Sequence, residues 1–563
     1  MVVLSTAARG PALVVVWLAA AACAARPAAP LRIQPVPYAD TLPIAEPRES
    51  EPNEVAGLVE AAVPGEAGSA LSVRRALGAT PEALNVTRDD DVVGSAWYEP
   101  RHRWDAPWPP AAVRHGGTTA AGPDTSGVLR VVAAKVQGIS PGFTVSDARG
   151  DRYVVKFDPK GFLHLASAAG VISNRLLYAA GYHTPEDYIV VFDRTRLVVD
   201  STAMVEDEDF RERPMTEDDI ARVLDLTDSL PDGRYLAVAS KFVPGIPKGP
   251  FRFEGRRDDD PNDHYLHQHR RELRGLYVVS SWINHVDMRF ANTLDAYVEP
   301  GYLRHYLIDF AATLGSGTIR PHYPREGLEY NFDFWPTMAR VFTLGFYTVG
   351  WEGREAGVVH PTIGWMQVAE FDPATWKANW PNEAFRNVLP RDGYWGAKLV
   401  AAFTDEHIAA AIDAGELPDP FAADTLAAML SFRRDRIVRH WFSRVTPIEA
   451  VEVRSAPAGL DVTFTDLAVV SGLWADEVTR YEARLRHPAR GVDARAARVA
   501  APGRSVPGIR LAVPAPESVE APRGEDAIAR LEITARRTGA SGRPATVFLR
   551  WEDGAYRVVG IEH

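Results

Sequence analysis

Two acidic signatures near the middle of the chain constrain what this region can fold into. The first is His285-Val-Asp287-Met-Arg-Phe-Ala-Asn292, and the second, Asp309-Phe-Ala311, begins seventeen residues after Asn292. Phosphoryl transfer needs an Asp that orients or deprotonates an acceptor hydroxyl, and it needs hard oxygen ligands for Mg²⁺. The pattern therefore predicts Asp287 as a catalytic base, with Asn292 and Asp309 as metal ligands. The alternative is that Asp287 and Asn292 only cap turns.

The residues around these signatures predict how they are held. Residues 266–283 carry apolar side chains at helical spacing, so a buried helix would lead into the His285 loop. Residues 293–309 form two apolar runs separated by Pro300-Gly301, which predicts a β-hairpin. Asp309 would then stand at the end of the second strand, facing back towards Asn292.

Upstream, the run Tyr153-Val-Val-Lys156-Phe157 predicts a strand with a lysine inside an apolar stretch. Such a lysine needs an anionic partner, and a bound phosphate would supply one; the alternative is a solvent-edge lysine on an outer strand. Gly138 and Gly142 precede it in a strand-turn-strand pattern and would let backbone amides approach phosphates closely. Gly138, Gly142 and Lys156 are therefore the predicted nucleotide-binding residues, although the glycines do not form a Walker motif.

Seven runs in the chain resemble a known group of proteins. They are Lys156-Phe-Asp-Pro-Lys, Gly181-Tyr-His-Thr-Pro-Glu-Asp-Tyr-Ile-Val, Ser240-Lys-Phe-Val-Pro-Gly, Arg270-Arg-Glu-Leu-Arg-Gly-Leu, Trp282-Ile-Asn-His-Val-Asp, Asn292-Thr-Leu-Asp and Tyr306-Leu-Ile-Asp-Phe. Together they resemble uncharacterised bacterial secreted proteins or lipoproteins whose core is similar to atypical kinases of the HipA, phosphatidylinositol-kinase and Fam20 types. The resemblance covers residues 126–445.

That resemblance implies a cofactor and a role for each site residue. The cofactors would be ATP and Mg²⁺. Lys156 would bind the α- and β-phosphates, Asp287 would be the catalytic base, and Asn292 with Asp309 would hold the metal. Lys241 is a further cofactor-binding candidate. The acceptor would be a protein or a small molecule that the sequence does not identify.

The chain departs from the kinase pattern at two places. The predicted helix from His164 to Tyr182 contains no Asp or Glu, although kinases place a Glu there to orient the lysine, and it has Gly170 near its middle. Ala311 also stands where a Gly usually follows Asp-Phe. These departures keep open a catalytically inactive, pseudokinase-like binding protein. A nucleotidyl transferase on the same fold is a third alternative, because some kinase-like folds bind the nucleotide inverted.

If the site is active, an acid from elsewhere in the chain must orient Lys156. Glu186 is the first candidate, because Thr184-Pro185 fixes an extended approach just before it. Asp187 and Glu272 are the others.

The segment from Asp258 to His269 is a rival metal site. It contains four Asp and three His, but no pair has a recognised ligand spacing. We predict a solvated loop that runs into a helix, with metal-dependent hydrolysis as the alternative.

Composition limits the partners. The chain has 563 residues, 46% of them hydrophobic, and a net charge of −12, so it can bury several cores but lacks the basic balance of nucleic-acid binders. The basic clusters Arg433-Arg-Asp-Arg and Arg536-Arg are short, and we predict that they lie on solvated faces. Nucleic acid is therefore not an expected partner.

The first residues predict export. Arg9 precedes an apolar run at residues 12–22, and small residues follow, as in a secretory signal over residues 1–23. Cys23, the only cysteine, follows Ala20-Ala-Ala and resembles a bacterial lipobox, although Leu18 lies farther upstream than usual. Lipidation, simple cleavage and retention as an anchor remain alternatives. We expect an extracytoplasmic protein, either a periplasmic or outer-membrane lipoprotein or a secreted protein, which meets the membrane only through such an anchor.

The predicted fold class is α+β: a bilobal, protein-kinase-like core with an added C-terminal β-sandwich-like domain. After the signal, residues 24–125 are a Pro/Ala-rich tether and a partly ordered segment, in which Trp97, Trp104 and Trp108 would pack against the core. Residues 126–245 form the N-lobe, 246–445 a helical C-lobe, and 446–563 a β-rich domain. A capping box at Thr216-Glu-Asp-Asp219 predicts a helix in the N-lobe.

Overall fold

The computed structural model describes residues 37–50, 65–119, 122–135, 141–206, 211–456, 459–474, 479–487, 492–499, 508–511, 528–540 and 542–563. The predicted secretory signal, Cys23 and Gly138 lie outside these ranges. Within them, no helix has the length and apolar character that crossing a membrane requires.

The first described residues are mostly irregular and pack against the rest of the protein. Their helices are short: α1 (Glu66–Ala70), α2 (Val73–Ala76) and α3 (Pro110–His115). Trp97 is buried and stacks on His305, with ring centroids 3.5 Å apart, while Trp104 and Trp108 pack against the same core. The three tryptophans therefore join this segment to the core, as predicted.

A seven-stranded mixed sheet follows. Its elements are β1 (Leu129–Lys135), β2 (Gly142–Ser146), β3 (Arg152–Phe157), α4 (Leu165–Ala180), β4 (Asp187–Phe192), β5 (Leu197–Glu206), β6 (Glu212–Pro214), α5 (Glu217–Leu224) and β7 (Tyr235–Lys241). The strand order is β4-β7-β3-β2-β1-β5-β6, with β1 and β5 parallel and the other pairs antiparallel. One face carries a small apolar core that includes residues of α5, and α5 begins at the predicted capping box on Thr216.

A largely helical region comes next. Its elements are β8 (Ile246–Pro247), α6 (Arg271–Trp282), β9 (Thr293–Val298), β10 (Tyr302–Leu307), α7 (Phe334–Phe342), α8 (Glu383–Arg386), α9 (Pro390–Ala401), α10 (Asp405–Asp413) and α11 (Pro420–Phe442). The predicted hairpin is β9–β10, and β8 adds a third strand to it. Helix α6 begins later than predicted, because His267–His269 forms a separate 3-10 turn.

The last region is rich in β-strands. It contains β11 (Ile448–Ala456), β12 (Gly459–Asp466), α12 (Leu467–Val470), β13 (Arg480–His487), β14 (Val492–Val499), β15 (Gly508–Leu511), β16 (Ile528–Arg536), β17 (Ala545–Glu552) and β18 (Ala555–Glu562). The strands form two antiparallel sheets, ordered β11-β12-β15 and β14-β13-β16-β17-β18, and residues of both enter one apolar cluster. The protein thus combines a large mixed sheet and helices with separate antiparallel sheets.

The prediction that Arg433 lies on a solvated face is wrong. Its side chain is fully buried in α11, and its Nε donates to the backbone carbonyl of Trp282 at 2.9 Å. Its other nitrogens donate to the carbonyls of Ser281 and Gln367. Burial lowers the pKa of Arg433 to about 9. The guanidinium group satisfies carbonyls that the packed core would otherwise leave without donors.

Candidate active site

Lys156 and Asp309 form an ion pair between the large sheet and the end of the hairpin. Lys156 lies on β3, and its Nζ is 2.8 Å from Oδ2 of Asp309, which follows β10. The backbone of Asp309 has φ = 62°, a left-handed conformation that non-glycine residues rarely adopt. This turn directs the carboxylate back towards β3. The lysine is therefore not a solvent-edge residue without a partner.

Asp287 and Asn292 are joined within the loop that follows α6. Asn292 ends a 3-10 turn, and its Nδ2 donates to the carbonyl oxygen of Asp287 at 2.8 Å and to Oδ2 at 3.0 Å. On the other side, Nε of Arg289 lies 3.1 Å from Oδ1 of Asp287. These contacts hold the Asp287 carboxylate between an amide and a guanidinium group.

The Asp287 carboxylate is more basic than an ordinary aspartate. Burial raises its pKa; Arg289 and Asn292 lower it, and the negative charge of Asp309 raises it further. Asp309 pairs with Lys156, and the backbone NH of the preceding residue, Ile308, donates to the carbonyl of Asn292 at 3.0 Å, so the structure brings the loop of Asp287 and Asn292 next to the Lys156–Asp309 pair. A carboxylate with a raised pKa is better suited to accept a proton.

His285 lies beneath this loop as a neutral residue. It is fully buried, and burial lowers its pKa to about 4 although Asp309 opposes the shift. Its ring lies 5.9 Å from that of Phe310 in an edge-to-face arrangement. His285 therefore packs the loop that carries Asp287 and is not charged at neutral pH.

Helix α4 contacts the segment after Asp309 through hydroxyl groups. The Oγ of Ser173 donates to Oγ1 of Thr313 at 2.7 Å, and Oγ1 of Thr313 donates to the carbonyls of Ala169 and Phe310. A β-carbon at Gly170 would meet no heavy atom within 4 Å. Helix α4 thus contacts the segment after Asp309 through hydroxyl and carbonyl groups, and it contains no Asp or Glu.

Asp187 is an acid on the same sheet as Lys156. It lies opposite Ser240 on β7, and Ser240 lies opposite Val154 on β3, so Asp187 and Lys156 share a face of the sheet. Burial raises the pKa of Asp187 to about 6; Ser240, Arg175 and Lys156 lower it, and Asp309 raises it. Among the described residues, Oδ1 of Asp187 has no hydrogen-bond partner.

Ranking Glu186 first as the partner of Lys156 is therefore wrong. Strand alternation turns Glu186 to the opposite face, where it accepts hydrogen bonds from the backbone NH and the hydroxyl of Thr119 at 3.0 and 2.7 Å. Glu272 is fully buried and pairs with Arg270 at 3.3 Å.

The other two predicted cofactor-binding residues that the structure describes have local roles. A β-carbon on Gly142 would lie 2.5 Å from the carbonyl oxygen of Val155, so the glycine lets β2 and β3 approach closely. Lys241 lies opposite Tyr153, on the face of the sheet away from Lys156, and its Nζ is 3.1 Å from Oδ2 of Asp151. The structure does not bring Lys241 to the Lys156–Asp309 pair.

The rival segment is a loop that runs into α6, as predicted, but it is only partly solvated: Asp258 and His264 are exposed, whereas Asp263 and His267 are buried in an ionic cluster. Oδ2 of Asp263 lies 2.8 Å from Nε2 of His267, and its Oδ1 lies 3.3 Å from Arg270. Both Asp263 and His267 are buried. Across the described part of the chain, no group of three or more His, Cys, Asp or Glu side chains is arranged to hold a metal ion. The ion pairs account for these charges.

Sequence reasoning did not identify Arg289 and placed Asp187 second. Arg289 lies within the first signature, two residues after Asp287, so its position was a usable signal. The role of Asp187 depends on which face of β4 it occupies, and only the strand pairing fixes that face.

Comparison with known proteins adds little to this geometry. No protein-family model matches the chain, and no curated protein sequence matches it. Among solved structures, the Helicobacter pylori proinflammatory kinase CtkA aligns with a TM-score of 0.29 and 10% sequence identity, over 54% of this chain and 92% of that chain. A TM-score of this size does not establish a shared fold.

Proposed function

We propose that this chain is an atypical, kinase-like phosphotransferase that uses Mg-ATP. The observation that carries the proposal is the 2.8 Å pair between Lys156 and Asp309, next to the joined side chains of Asp287 and Asn292. One cation, two carboxylates and an amide are thus collected from β3, the loop after α6 and the end of β10. Phosphoryl transfer depends mainly on positioning and on charge stabilisation, and this set can supply both.

The side chains present fit a metal-bound nucleotide. The carboxylate of Asp309 and the amide oxygen of Asn292 are hard donors of the kind that Mg²⁺ prefers, and Nδ2 of Asn292 is already engaged by Asp287. Bound Mg²⁺ would neutralise charge on the phosphates. Lys156 would then exchange the carboxylate of Asp309 for a phosphate oxygen, since both are anionic partners.

Asp287 would handle the acceptor proton. As the acceptor oxygen attacks the γ-phosphorus, the bond from that phosphorus to the bridging oxygen of ADP breaks. Asp287 takes up the hydroxyl proton, and burial favours this protonated form. Arg289 and Asn292 keep the carboxylate oriented during the transfer.

One observation favours a second, non-catalytic function. Helix α4 contacts Thr313 through a hydroxyl group and contains no Asp or Glu that could orient Lys156, so a pseudokinase-like protein that binds a ligand without chemistry is the competing candidate. The two candidates differ in whether a bound nucleotide is turned over.

Thermal unfolding with nucleotide tests the proposal. We expect Mg-ATP to raise the melting temperature of the wild-type protein, since a ligand at 100 times its dissociation constant stabilises by about 2.7 kcal/mol. Lys156→Met and Asp309→Asn should lose this stabilisation. Lys160→Met, an exposed lysine between β3 and α4, is the matched control and should retain it.

A turnover assay separates the two candidates. The mass of the product should show transfer of a phosphoryl and not a nucleotidyl group, and Asp287→Asn should bind Mg-ATP without turning it over. No stabilisation of the wild type by Mg-ATP would overturn the proposal. Stabilisation without turnover would favour the non-catalytic function.

A further inference from the structure

An apolar turn follows α7 and stands out from the helical region. It comprises residues 341–347, Val-Phe-Thr-Leu-Gly-Phe-Tyr, and the sequence has no charged side chain from there to Trp351. Phe342 is 82% exposed, and Leu344 and Phe346 are each 88% exposed. Large apolar side chains that are exposed together on a protein surface mark sites of interaction with a partner or a membrane.

Helix α7 continues this apolar surface. Every residue of α7 is exposed or half-buried. Trp335, Met338 and Phe342 are spaced by three and four residues, so they lie along one stripe of the helix. Because Phe342 belongs to both the helix and the apolar turn, the stripe leads directly into the turn.

The backbone of the apolar turn is hydrogen-bonded internally. Four successive NH groups, those of residues 344–347, donate to acceptors within residues 340–343 at 2.8–3.2 Å. The acceptors are the carbonyls of Arg340, Val341 and Thr343 and the hydroxyl of Thr343. Hydrocarbon offers no water to backbone groups, so a segment that enters lipid must satisfy them itself. The turn meets this condition for all four NH groups.

The charges that flank the apolar turn are paired. One terminal nitrogen of Arg340 donates to Oε1 of Glu352 at 2.7 Å, and the other donates to Oε1 of Glu329 at 2.9 Å. Glu329 also accepts a hydrogen bond from Nε1 of Trp351 at 2.6 Å. An unpaired charge is costly in lipid, and the turn itself brings none. An uncharged tip with bonded NH groups is what a lipid phase requires, whereas a protein partner could supply charges and acceptors of its own.

We propose that the apolar turn inserts into the interface of a lipid bilayer, and that the exposed stripe of α7 lies against the headgroups. Leu344 and Phe346 enter the upper acyl region, where burial of their side chains drives binding. Trp335 and Tyr347 occupy the headgroup level, where amphipathic aromatic side chains are enriched. Binding depends little on the charge of the lipid, because the turn carries no charge. This surface is separate from phosphoryl transfer and does not depend on it.

The expected anchor keeps a bilayer within reach of this surface. Cys23, the proposed lipidation site, lies 14 residues before Pro37, the first residue that the structure describes. Even a fully extended chain of this length spans at most about 50 Å. A protein anchored in this way would hold the apolar turn at a high effective concentration beside the membrane.

A fluorescent label in the apolar turn tests the insertion. Cys23 is the only cysteine, so Cys23→Ser combined with Phe346→Cys gives a full chain with one thiol. With phosphatidylcholine vesicles, an environment-sensitive label on that thiol should shift its emission to shorter wavelength. Lipids brominated on their acyl chains should quench it, and high salt should not reverse the effect. The label reports on residue 346 itself, so vesicle binding by the apolar run at residues 12–22 does not imitate this result.

Two matched controls locate the contact. Phe421 in α11 is also exposed, at 59%, and a label on Phe421→Cys in the same Cys23→Ser chain should stay in water. In the chain labelled at residue 346, Leu344→Ser should lower the partition of the label into lipid by about ten-fold or more, since it removes a large apolar side chain from the lipid. Leu226→Ser, at a leucine that is 60% exposed elsewhere, should leave the partition unchanged. Urea unfolding should be alike in both serine variants, because neither leucine is buried.

The outcomes separate a bilayer from a second copy of this chain. A label at residue 346 that keeps its aqueous emission, or that is quenched no more than the label at residue 421, would overturn the inference. A wild-type dimer in sedimentation that Leu344→Ser dissociates, without quenching by lipid, would assign the apolar turn to an interface between copies. Nucleotide plays no part in these measurements, so their failure and the failure of the proposed function are distinguishable.

Discussion

The Nζ of Lys156 and Oδ2 of Asp309 lie 2.8 Å apart, although one residue belongs to the large sheet and the other follows the hairpin of the helical region. Both side chains are partly accessible to solvent, at 16% and 32% exposure. Ion pairs with this much solvent contact contribute little to stability, about 0–1 kcal/mol. The pair therefore adds little to the stability of the fold.

Removing either member of this pair should abolish activity without unfolding the protein. Asp309→Ala should eliminate metal-dependent turnover, because it removes a hard oxygen donor, and Lys156→Met should do so by removing the phosphate ligand. Urea unfolding without nucleotide should show a loss of no more than about 1 kcal/mol in either variant. Phosphate transfer that survives Asp309→Ala would contradict the metal assignment.

Asp187 should make stability depend on pH near 6. Its pKa is raised to about 6 in the folded protein, mainly by burial, and is about 3.9 in an unfolded chain. Between pH 4 and pH 6, the folded state therefore binds a proton at Asp187 that the unfolded state does not bind. The free energy of unfolding that Asp187 contributes thus rises as the pH falls through 6. In urea unfolding, the change from pH 7 to pH 5 should raise the free energy of unfolding of the wild type relative to that of Asp187→Asn.

The same titration should affect nucleotide binding. If the Asp187 carboxylate orients Lys156, Mg-ATP affinity should fall below pH 6 in the wild type, and Asp187→Asn should lose this pH dependence. Glu186→Gln is the control, since Glu186 lies on the opposite face of the sheet and is bound by Thr119. A pH profile that shifts with Glu186→Gln and not with Asp187→Asn would reverse the assignment.

Gly170→Ala should stabilise the protein by about 0.5–1 kcal/mol. Gly170 lies inside α4 with ordinary helical geometry, a β-carbon there meets nothing within 4 Å, and alanine loses less backbone entropy than glycine on folding. Gly275→Ala in α6 is the matched control and should destabilise, since its β-carbon would clash with the ring of Trp395. Thermal unfolding of the two variants measures both changes in stability, and destabilisation by Gly170→Ala would contradict the open space beside Gly170.

Asp90→Ala should destabilise the protein strongly, by about 3–5 kcal/mol. Its buried carboxylate binds three partners from distant parts of the chain: Arg271 at 3.1 Å, Arg391 at 2.7 Å and His563 at 3.1 Å. Removing it leaves the buried guanidinium group of Arg271 with Asp392 and takes the nearest acid from the partly buried Arg391. Asp89→Ala, next to it and exposed, should change the free energy of unfolding by less than about 0.5 kcal/mol.

The Asp90 cluster also predicts acid sensitivity. Burial would raise the pKa of Asp90, but Arg271 and Arg391 outweigh it and hold the pKa well below the usual value of 3.8. This contribution is fully present above the unfolded pKa of about 3.9 and is lost as the pH falls through the folded pKa. Acid unfolding of the wild type should therefore be steeper than that of Asp90→Ala below pH 4, and parallel curves would contradict the cluster's role.

Cys23 remains the proposed lipidation site. Cys23→Ser should release the protein from membranes or block its processing, because the lipid would be attached through that thiol. Membrane fractionation and the mass of the mature protein check this. Unchanged fractionation and mass in the variant would exclude a lipoprotein.

Local sequence pattern determined several elements of this protein. The hairpin of β9 and β10, the capping box at Thr216 and the strand around Lys156 were all predictable, because each follows from turn residues, caps or apolar spacing within a few positions. The strands of the C-terminal region were also predictable, because their apolar and polar residues alternate. The spacing of Asp287, Asn292 and Asp309 similarly identified the residues that the structure brings together with Lys156.

The tertiary structure alone decided which charges are buried and which residues pair. Arg433, Asp263 and His267 were predicted to be solvated, yet each is buried against partners supplied by the folded chain. Asp187 lies on the same face of the sheet as Lys156 and Glu186 does not, because the pairing of β4 with β7 and of β7 with β3 sets the face that each side chain occupies. Burial and ion pairing are long-range properties, since the free energy of a charge depends on groups that only the complete fold places beside it.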